Sequence, residues 1–334
     1  MYKIIRREAF SQTTFLWEVS APDVARSAEP GHFVMLRLRE GGERIPLTVA
    51  DYDREKGTIT LVIQALGKTT LEMRDHYKAG DSIVDFVGPL GLPQHVSRAG
   101  HVVLVGGGLG VAPVYPQLRA FKEAGNRTTG IIGFRNKDLV FWEETFGRYC
   151  DNLIVCTDDG SYGKPGFVTA ALQEVLDNDR PDLVIAIGPL PMMNACVETT
   201  RPSGVKTMVP LNAIMVDGTG MCGSCRVTVG SEIKFACVDG PDFDGHQVDF
   251  KELILRQQRF KGEEATANTD YAHVCNVEKV LFEQHKTNYK KYKDLAPLAT
   301  KMTERDPLER SRNFKEVNLG YSMADAMAEA ERCI

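Results

Sequence analysis

Along the first hundred residues the apolar positions come in short runs of β character, TFLWEVSA, HFVMLRL, TITLVIQAL and DSIVDFVG, separated by turn signals such as Glu29-Pro30-Gly31 and Gly41-Gly42. This pattern predicts an antiparallel barrel or sandwich. From His101 to about Pro210 apolar strands (HVVLVGG, TTGIIGF, NLIVCTDD, DLVIAIGP) alternate with helical stretches such as APVYPQLRAFKEAG and PGFVTAALQEVLDN. Strand followed by helix, repeated, predicts a parallel α/β sheet. A compact segment rich in Gly and Cys follows Pro210, and from about Asp249 a charged, helical tail begins. Its stretch HKTNYKKYKDLAPLATKMTERDPLERSRNF has too few large apolar residues to build a core, so it is expected to extend over the body or dock on a partner. The expected organisation is therefore a multidomain chain: a barrel over 1–99, an α/β domain over 100–209, the Cys-rich segment over 210–250 and a tail over 251–334.

Composition narrows the function. A length of 334 residues fits two or three domains. The net charge of -5 supplies no basic surplus for gripping a phosphate backbone, which argues against a nucleic-acid binder. No apolar run approaches the roughly 20 residues that span a bilayer. The N-terminus MYKIIRREAFSQTT also lacks the apolar core of a signal peptide, so a cytoplasmic protein without membrane attachment is expected. Of eight cysteines, three crowd between Cys222 and Cys237, a spacing suited to a metal site in a reducing compartment. Cys150, Cys156 and Cys196 lie in apolar or mixed segments and read as packed thiols.

The strand HVVLV runs directly into Gly106-Gly107-Gly108-Leu109-Gly110-Val111-Ala112-Pro113 and then a helix. Glycines let a backbone approach a pyrophosphate, and free N–H groups at a helix N-terminus stabilise its charge. The alternative is a strand-to-helix turn that binds nothing. The spacing is not GxGxxG; it resembles instead the nicotinamide-binding loop of the ferredoxin–NADP reductase superfamily, carried here by Gly107, Gly108, Gly110, Val111, Ala112 and Pro113. The resemblance implies adenosine contacts at Phe134-Arg135-Asn136, and it extends to Asp158-Asp159-Gly160-Ser161. It also matches Gly188-Pro189-Leu190-Pro191-Met192-Met193 to the family's Gly-Pro-x-x-Met beside the nicotinamide. All lie at carboxyl ends of strands, where open α/β sheets bind ligands. Ile187 stands where many members have Cys, so no thiol is expected there. Arg135 and Lys137 stand with Asp138 and form no tight basic cluster, which favours NAD(H) and leaves NADP(H) open.

In the barrel, Arg44-Ile45-Pro46-Leu47-Thr48 resembles that superfamily's Arg-x-Pro/Tyr-Ser/Thr flavin signature. Arginine can pair with the pyrophosphate of FAD through its planar donor fork, while Pro46, Leu47 and Thr48 can meet the ring edge. Leu61-Val62-Ile63-Gln64-Ala65 leads into Gly67-Lys68-Thr69-Thr70, similar to the family's second flavin segment; Gly67, Thr69 and Thr70 would contact the pyrophosphate. The bland alternatives are a surface arginine and a Ser/Thr-rich helix cap. Gly88-Pro89-Leu90-Gly91 at the barrel exit also matches.

Asp217-Gly218-Thr219-Gly220-Met221-Cys222-Gly223-Ser224-Cys225 is followed by RVTVGSEIKFA and Cys237. With Asp217 in place of a first Cys, this is plant-type ferredoxin spacing, expected to hold a 2Fe-2S cluster through Asp217, Cys222, Cys225 and Cys237. Zinc is the alternative metal, and Asp239, Cys275 or another chain are alternative sources of the fourth ligand. The domain order over about residues 1–250 is similar to the electron-transfer subunit of bacterial dihydroorotate dehydrogenase and to the small subunit of the NADH-dependent ferredoxin–NADP oxidoreductase, or sulfide dehydrogenase. An Asp at the first ligand position is what the latter resembles. Residues from about 300, including Glu304 to Pro307 and Arg312 to Tyr321, resemble the start of that complex's large subunit. The tail thus reads as a truncated fusion or shortened product, or as an ordinary docking helix.

The resemblance implies electron transfer between NAD(H), FAD and the cluster, with no catalytic acid or base. Its implied partner in a heterodimer is a large subunit with FAD and 4Fe-4S clusters, reaching ferredoxin and performing electron bifurcation. The dihydroorotate dehydrogenase subunit is the rival enzyme, and a non-catalytic redox-sensing or binding module is the rival of another class.

Overall fold

The barrel begins earlier than the apolar runs suggested. Tyr2–Ala9 is a strand, antiparallel to Thr14–Ser20, although Ile4 is its one fully buried side chain. A strand that presents so little to the core carries a weak hydrophobic signal. In a computed structural model that describes residues 1–272, five strands pair in the spatial order Asp51–Asp53, Thr58–Gln64, Thr14–Ser20, Tyr2–Ala9 and Ser82–Ile83. A second antiparallel sheet orders Arg44–Thr48, Phe33–Arg37 and Asp85–Leu90. Both sheets contribute to one core, with Phe15, Trp17 and Ile59 from the first and Val34, Leu36 and Phe86 from the second. This is the expected antiparallel barrel.

The α/β part also forms as predicted, with one difference. Strands Lys164–Pro165, Asn152–Thr157, Arg127–Phe134, His101–Gly107, Leu183–Ile187 and Lys206–Pro210 are parallel neighbours in that order. His101–Gly107 is buried along its whole length, which explains its unbroken apolar run. Helix Val111–Glu123 covers one face with Val114, Leu118 and Phe121. Helices Val168–Asn178 and Leu190–Thr200 cover the other with Leu172, Val175, Met193 and Val197. The sheet does not end at Pro210, and it is mixed rather than wholly parallel. Asp242–Asp244 adds a seventh, antiparallel strand beside Lys206–Pro210, in register Met208↔Asp244 and Pro210↔Asp242. The Cys-rich segment is therefore built into the sheet edge, and its hairpin Arg226–Val229/Glu232–Phe235 hangs beside it.

The expected tail starts inside this core. Helix Phe250–Gln257 begins on an aspartate N-cap, Asp249 accepting from the amide of Glu252 at 2.9 Å, and buries Phe250 and Leu253. The chain to Asn268 forms one compact unit. Cys275, Cys333 and the stretch from about 300 lie outside the described residues. No described helix is long and apolar enough to cross a membrane.

Asp242 is an anomaly in this arrangement. Both carboxyl oxygens are shut off from solvent and lack a hydrogen-bond partner; one lies where a Cβ on Gly31 would come within 3.0 Å. Burial pushes its pKa up from 3.8 to about 7. Between these values the unfolded chain ionises while the folded chain keeps its proton, so stability falls as pH rises through that window and levels off above it. Relative to the native chain, Asp242→Asn should gain up to ~4 kcal/mol between pH 4 and 8. Urea unfolding of both chains across that range checks this; a pH-independent difference would mean the folded carboxyl is already ionised.

Candidate functional site

Three loops converge at the carboxyl edge of the parallel sheet. The glycine loop follows His101–Gly107 as a single tight turn, Gly108–Gly110, and opens helix Val111–Glu123 without any side-chain cap. The Val111 amide donates back to the Gly108 carbonyl and Pro113 has no N–H, while no side chain competes for the turn's remaining N–H groups, which suit an anion. Close packing explains the glycines. A Cβ on Gly110 would sit 2.3 Å from the Ile187 carbonyl oxygen, and one on Gly107 would sit 2.1 Å from Met192 Sδ. The Gly188-Pro189-Leu190-Pro191-Met192-Met193 loop is therefore in contact with the glycine loop. Met192 lies across both, whereas Met193 points into the core at 0% exposure. Val111 and Ala112 are likewise buried, so they offer backbone rather than side chain, and Pro113 is half-buried.

At the neighbouring strand ends, the Asp158 and Asp159 amides donate to the carbonyls of Phe134 and Arg135 at 2.9 and 3.2 Å. Asp159 accepts from the Ser161 amide at 2.9 Å, and Ser161 Oγ accepts from the Lys137 amide at 2.8 Å. Arg135, Asp158, Asp159 and Gly160 are all exposed on this rim. Sequence reasoning passed over Phe167, which is 68% exposed at the start of helix Val168–Asn178 on the same edge. An aromatic directly after Lys164-Pro165-Gly166 was the available signal.

In the barrel, Arg44–Thr48 is a real strand, paired with Phe33–Arg37 in the register Met35↔Pro46 and Phe33↔Thr48. Arg44 and Thr48 face solvent; Pro46 and Leu47 are half-buried. Ile63 is completely buried, so its candidate role reduces to backbone, while Gln64 is half-buried. Helix Lys68–His76 starts at Gly67, but both threonine hydroxyls already have partners. Thr69 donates to the Glu43 carboxylate, and Thr70 Oγ1 accepts from the Leu66 and Gly67 amides at 3.0 and 3.1 Å. The donors this turn leaves for an anion are its backbone N–H groups.

The cysteine loop gathers its candidates unevenly. Cys225 and Cys237 are buried with their sulfurs 3.2 Å apart, at either end of the hairpin. Burial, with the Cys225 thiol beside it, pushes the Cys237 thiol up to about 12. Cys222 is exposed, 3.2 Å from Ser224 Oγ, and the Ser224 hydroxyl and amide hold its thiol below the usual range. Asp217 is half-buried. Its carboxylate accepts from the Thr219 hydroxyl and amide and from the Met221 amide, which, with Arg44 nearby, keep it below the usual carboxylate range. Among the described residues no three His, Cys, Asp or Glu side chains converge as a preformed metal site. The donor set still suits an iron–sulfur cluster: two buried thiols are together, an exposed thiol and the Asp217 carboxylate lie on the same loop, and that loop turns at Gly218, Gly220 and Gly223 with φ +83, +86 and +69. Cys150 and Cys196, by contrast, have thiols pushed up to about 12 by burial, which fits packing roles.

The loop is seated on the barrel. A Cβ on Gly218 would lie 2.6 Å from Met35 Cγ and 3.4 Å from Leu90 Cδ1. Met35 is the strand partner of Pro46, so the flavin-signature strand and the cysteine loop share one buried side chain.

The family described as the iron–sulfur cluster binding domain of dihydroorotate dehydrogenase B matches residues 212–249. A homologue of the dihydroorotate dehydrogenase B (NAD(+)) electron transfer subunit from Thermotoga maritima is 47% identical, covering 78% of this chain and 92% of its own. The electron transfer subunit from Shouchella clausii is 33% identical, covering 72% and 94%. A solved structure of the NADH-dependent reduced ferredoxin-NADP oxidoreductase, studied for flavin-based electron bifurcation, matches at 45% identity with a TM-score of 0.77, covering 81% of this chain and 98% of that one. A ferredoxin NADP+ reductase from Neisseria gonorrhoeae, 15% identical with a TM-score of 0.52 over 61% of this chain and 90% of its own, shares the fold. The chain is thus an oxidoreductase-type electron-transfer subunit with an iron–sulfur-binding segment, and it belongs to the ferredoxin reductase-like family of dihydroorotate dehydrogenase B electron transfer subunits and their homologues.

Proposed function

We propose that this chain is the small subunit of an NADH-dependent ferredoxin:NADP oxidoreductase, passing electrons between NAD(H), FAD and a 2Fe-2S cluster in an electron-bifurcating heterodimer. Its large partner would carry FAD and 4Fe-4S clusters and engage ferredoxin. Residues 1–99 would hold FAD, 100–209 the nicotinamide nucleotide and 210–250 the cluster. The observation that carries this reading is Met35, wedged between the flavin-signature strand and the cysteine loop.

When bound, FAD would supply the conversion between two-electron nicotinamide chemistry and one-electron iron–sulfur chemistry. The protein's own task is placement. Arg44 would pair with the flavin pyrophosphate, assisted by the helix-start amides at Lys68 to Thr70, with Gly67 allowing close approach, while Pro46, Leu47, Thr48, Ile63 and Gln64 border the ring. Gly107, Gly108 and Gly110 would bring backbone N–H groups to the nicotinamide pyrophosphate, with Arg135, Asp158, Asp159 and Gly160 at its adenosine side and Gly188, Pro189 and Met192 at its nicotinamide side. Asp217, Cys222, Cys225 and Cys237 would ligate the cluster. None of these roles requires a general acid or base. The dihydroorotate dehydrogenase alternative rests on the same cysteine segment, but Asp217 at the first ligand position favours the ferredoxin–NADP type.

Anaerobically purified full chain should show flavin and iron–sulfur absorption, with two irons and two sulfides per chain; zinc or no metal after reconstitution defeats the assignment. Asp217→Ala should lower iron occupancy and Asp217→Cys should restore it with an altered electron paramagnetic resonance spectrum. If Asp217→Ala retains the native iron content and spectrum, the fourth ligand lies elsewhere. Gly110→Ala, forced against the Ile187 carbonyl, should weaken NADH binding at least ~10-fold, about 1.4 kcal/mol, while flavin and iron contents stay unchanged. Equilibrium titration of NADH against flavin absorbance reads this out.

A further inference from the structure

Helix Val111–Glu123 carries the glycine loop at its N-terminus, and at its third turn Arg119 reaches across to the barrel. Arg119 Nη1 donates to Asp51 Oδ1 at 2.7 Å, with the two side chains only 18% and 31% exposed. The guanidinium is also flanked by two rings, 5.2 Å from the Tyr52 centroid and 5.7 Å from that of Tyr115. Each end of this contact is anchored. Asp51 accepts from the Tyr52 amide at 2.8 Å and belongs to the strand paired with Thr58–Gln64, which runs into the candidate flavin turn. Tyr52 in turn has Arg54 5.0 Å above its ring, and Arg54 donates to the Ala28 carbonyl at 2.8 Å. Tyr115 packs among Trp142, Phe146 and Tyr149 at centroid distances of 5.4, 6.0 and 5.8 Å.

We propose that Arg119, clasped by Asp51, Tyr52 and Tyr115, is a positioning residue that sets the nucleotide loop relative to the flavin strand and so sets the rate of hydride transfer between them. The proposal rests on the electron-transfer reading above. From Val111 to Arg119 is about 12 Å along the helix axis, so the clasp and the glycine loop are two points on one rigid rod. One end of the rod meets Ile187 and Gly188; the other meets the barrel. Between them Leu16, Ala50 and Val62 of the barrel pack in the same core as Val111, Ala112 and Leu118. Apolar contacts of this kind hold two units together yet allow small sliding, and interfaces between units of one chain permit relative motion unless something directional fixes them. A planar guanidinium between two rings, with a carboxylate at its edge, is directional. Burial raises the Asp51 carboxyl, with Arg119 opposing it; removing Arg119 would leave a poorly solvated carboxylate at the seam.

Hydride transfer needs the reacting atoms within about 3–3.5 Å, and a 1 Å misplacement can cost ~100-fold. Binding of the nucleotide's phosphates depends on the loop alone, which the clasp does not touch. The expected signature is therefore a split between rate and affinity. In the flavin-loaded full chain, Arg119→Ala should lower the single-turnover rate of flavin reduction at saturating NADH about 10-fold, equivalent to about 1.4 kcal/mol. The NADH dissociation constant and flavin content should change less than about 2-fold, since 2-fold is within 0.5 kcal/mol. Arg119→Lys keeps the charge without the planar stack and should fall between; it also serves if Arg119→Ala does not fold. Asp51→Asn should slow the rate as well. Native rates in Arg119→Lys and Asp51→Asn, whatever their melting temperatures, overturn the clasp. If the unsubstituted chain shows no NADH-driven bleaching of a flavin band, it is the electron-transfer reading itself that fails.

Discussion

The hydrogen-bonded ladder between Lys206–Pro210 and Asp242–Asp244 is the constraint on which the rest of the molecule turns. Without it the cysteine-rich segment would be a tether following the α/β sheet. With it, Cys225 and Cys237 are held at the ends of a hairpin whose position is fixed by a sheet edge on one side and by helix Phe250–Gln257 on the other. Phe243, Phe250, Leu253, Cys225 and Cys237 then share one core with Phe33 and Met35 of the barrel and with the helices on that face of the sheet. A segment too short to bury a core alone becomes ordered by borrowing two others.

This arrangement explains why the chain is organised around placement rather than around reactive side chains. The candidate nucleotide loop, flavin strand and cysteine loop each come from a different stretch of sequence, and two kinds of contact bring them together. One is a close backbone approach that only glycine permits, as where Gly110 meets Ile187 and Gly218 meets Met35. The other is a polar clasp at the seam, Arg119 with Asp51. The first kind sets distance and the second sets angle. An electron-transfer subunit needs both, because its rates depend on how far apart its cofactors lie and how they face each other.

Much of this was legible in the chain. The two hydrophobic periodicities marked a barrel followed by an α/β sheet, because period-two and strand–helix alternation reflect which faces are buried. The glycine loop, Gly-Pro-x-x-Met and Cys-x-x-Cys stood out because their residue types are demanded by local backbone geometry. Tyr2–Ala9 did not stand out, since it buries one residue, and neither did Asp242–Asp244, since DFD has no apolar run and owes its strand character to the edge it completes. Thr69 and Thr70 matched a phosphate-binding pattern, yet their hydroxyls bond to Glu43 and to the Leu66 and Gly67 amides.

Local interactions thus wrote the element types, the turn glycines and the identity of the candidate ligands into the sequence itself. Tertiary packing alone decided which of these meet: that Asp242 lies buried without a donor, that Met35 joins strand to loop, and that Arg119 faces Asp51, 68 positions away. Such contacts depend on relative placement of whole units, and no periodicity or spacing along a chain encodes the distance between residues so far apart in it.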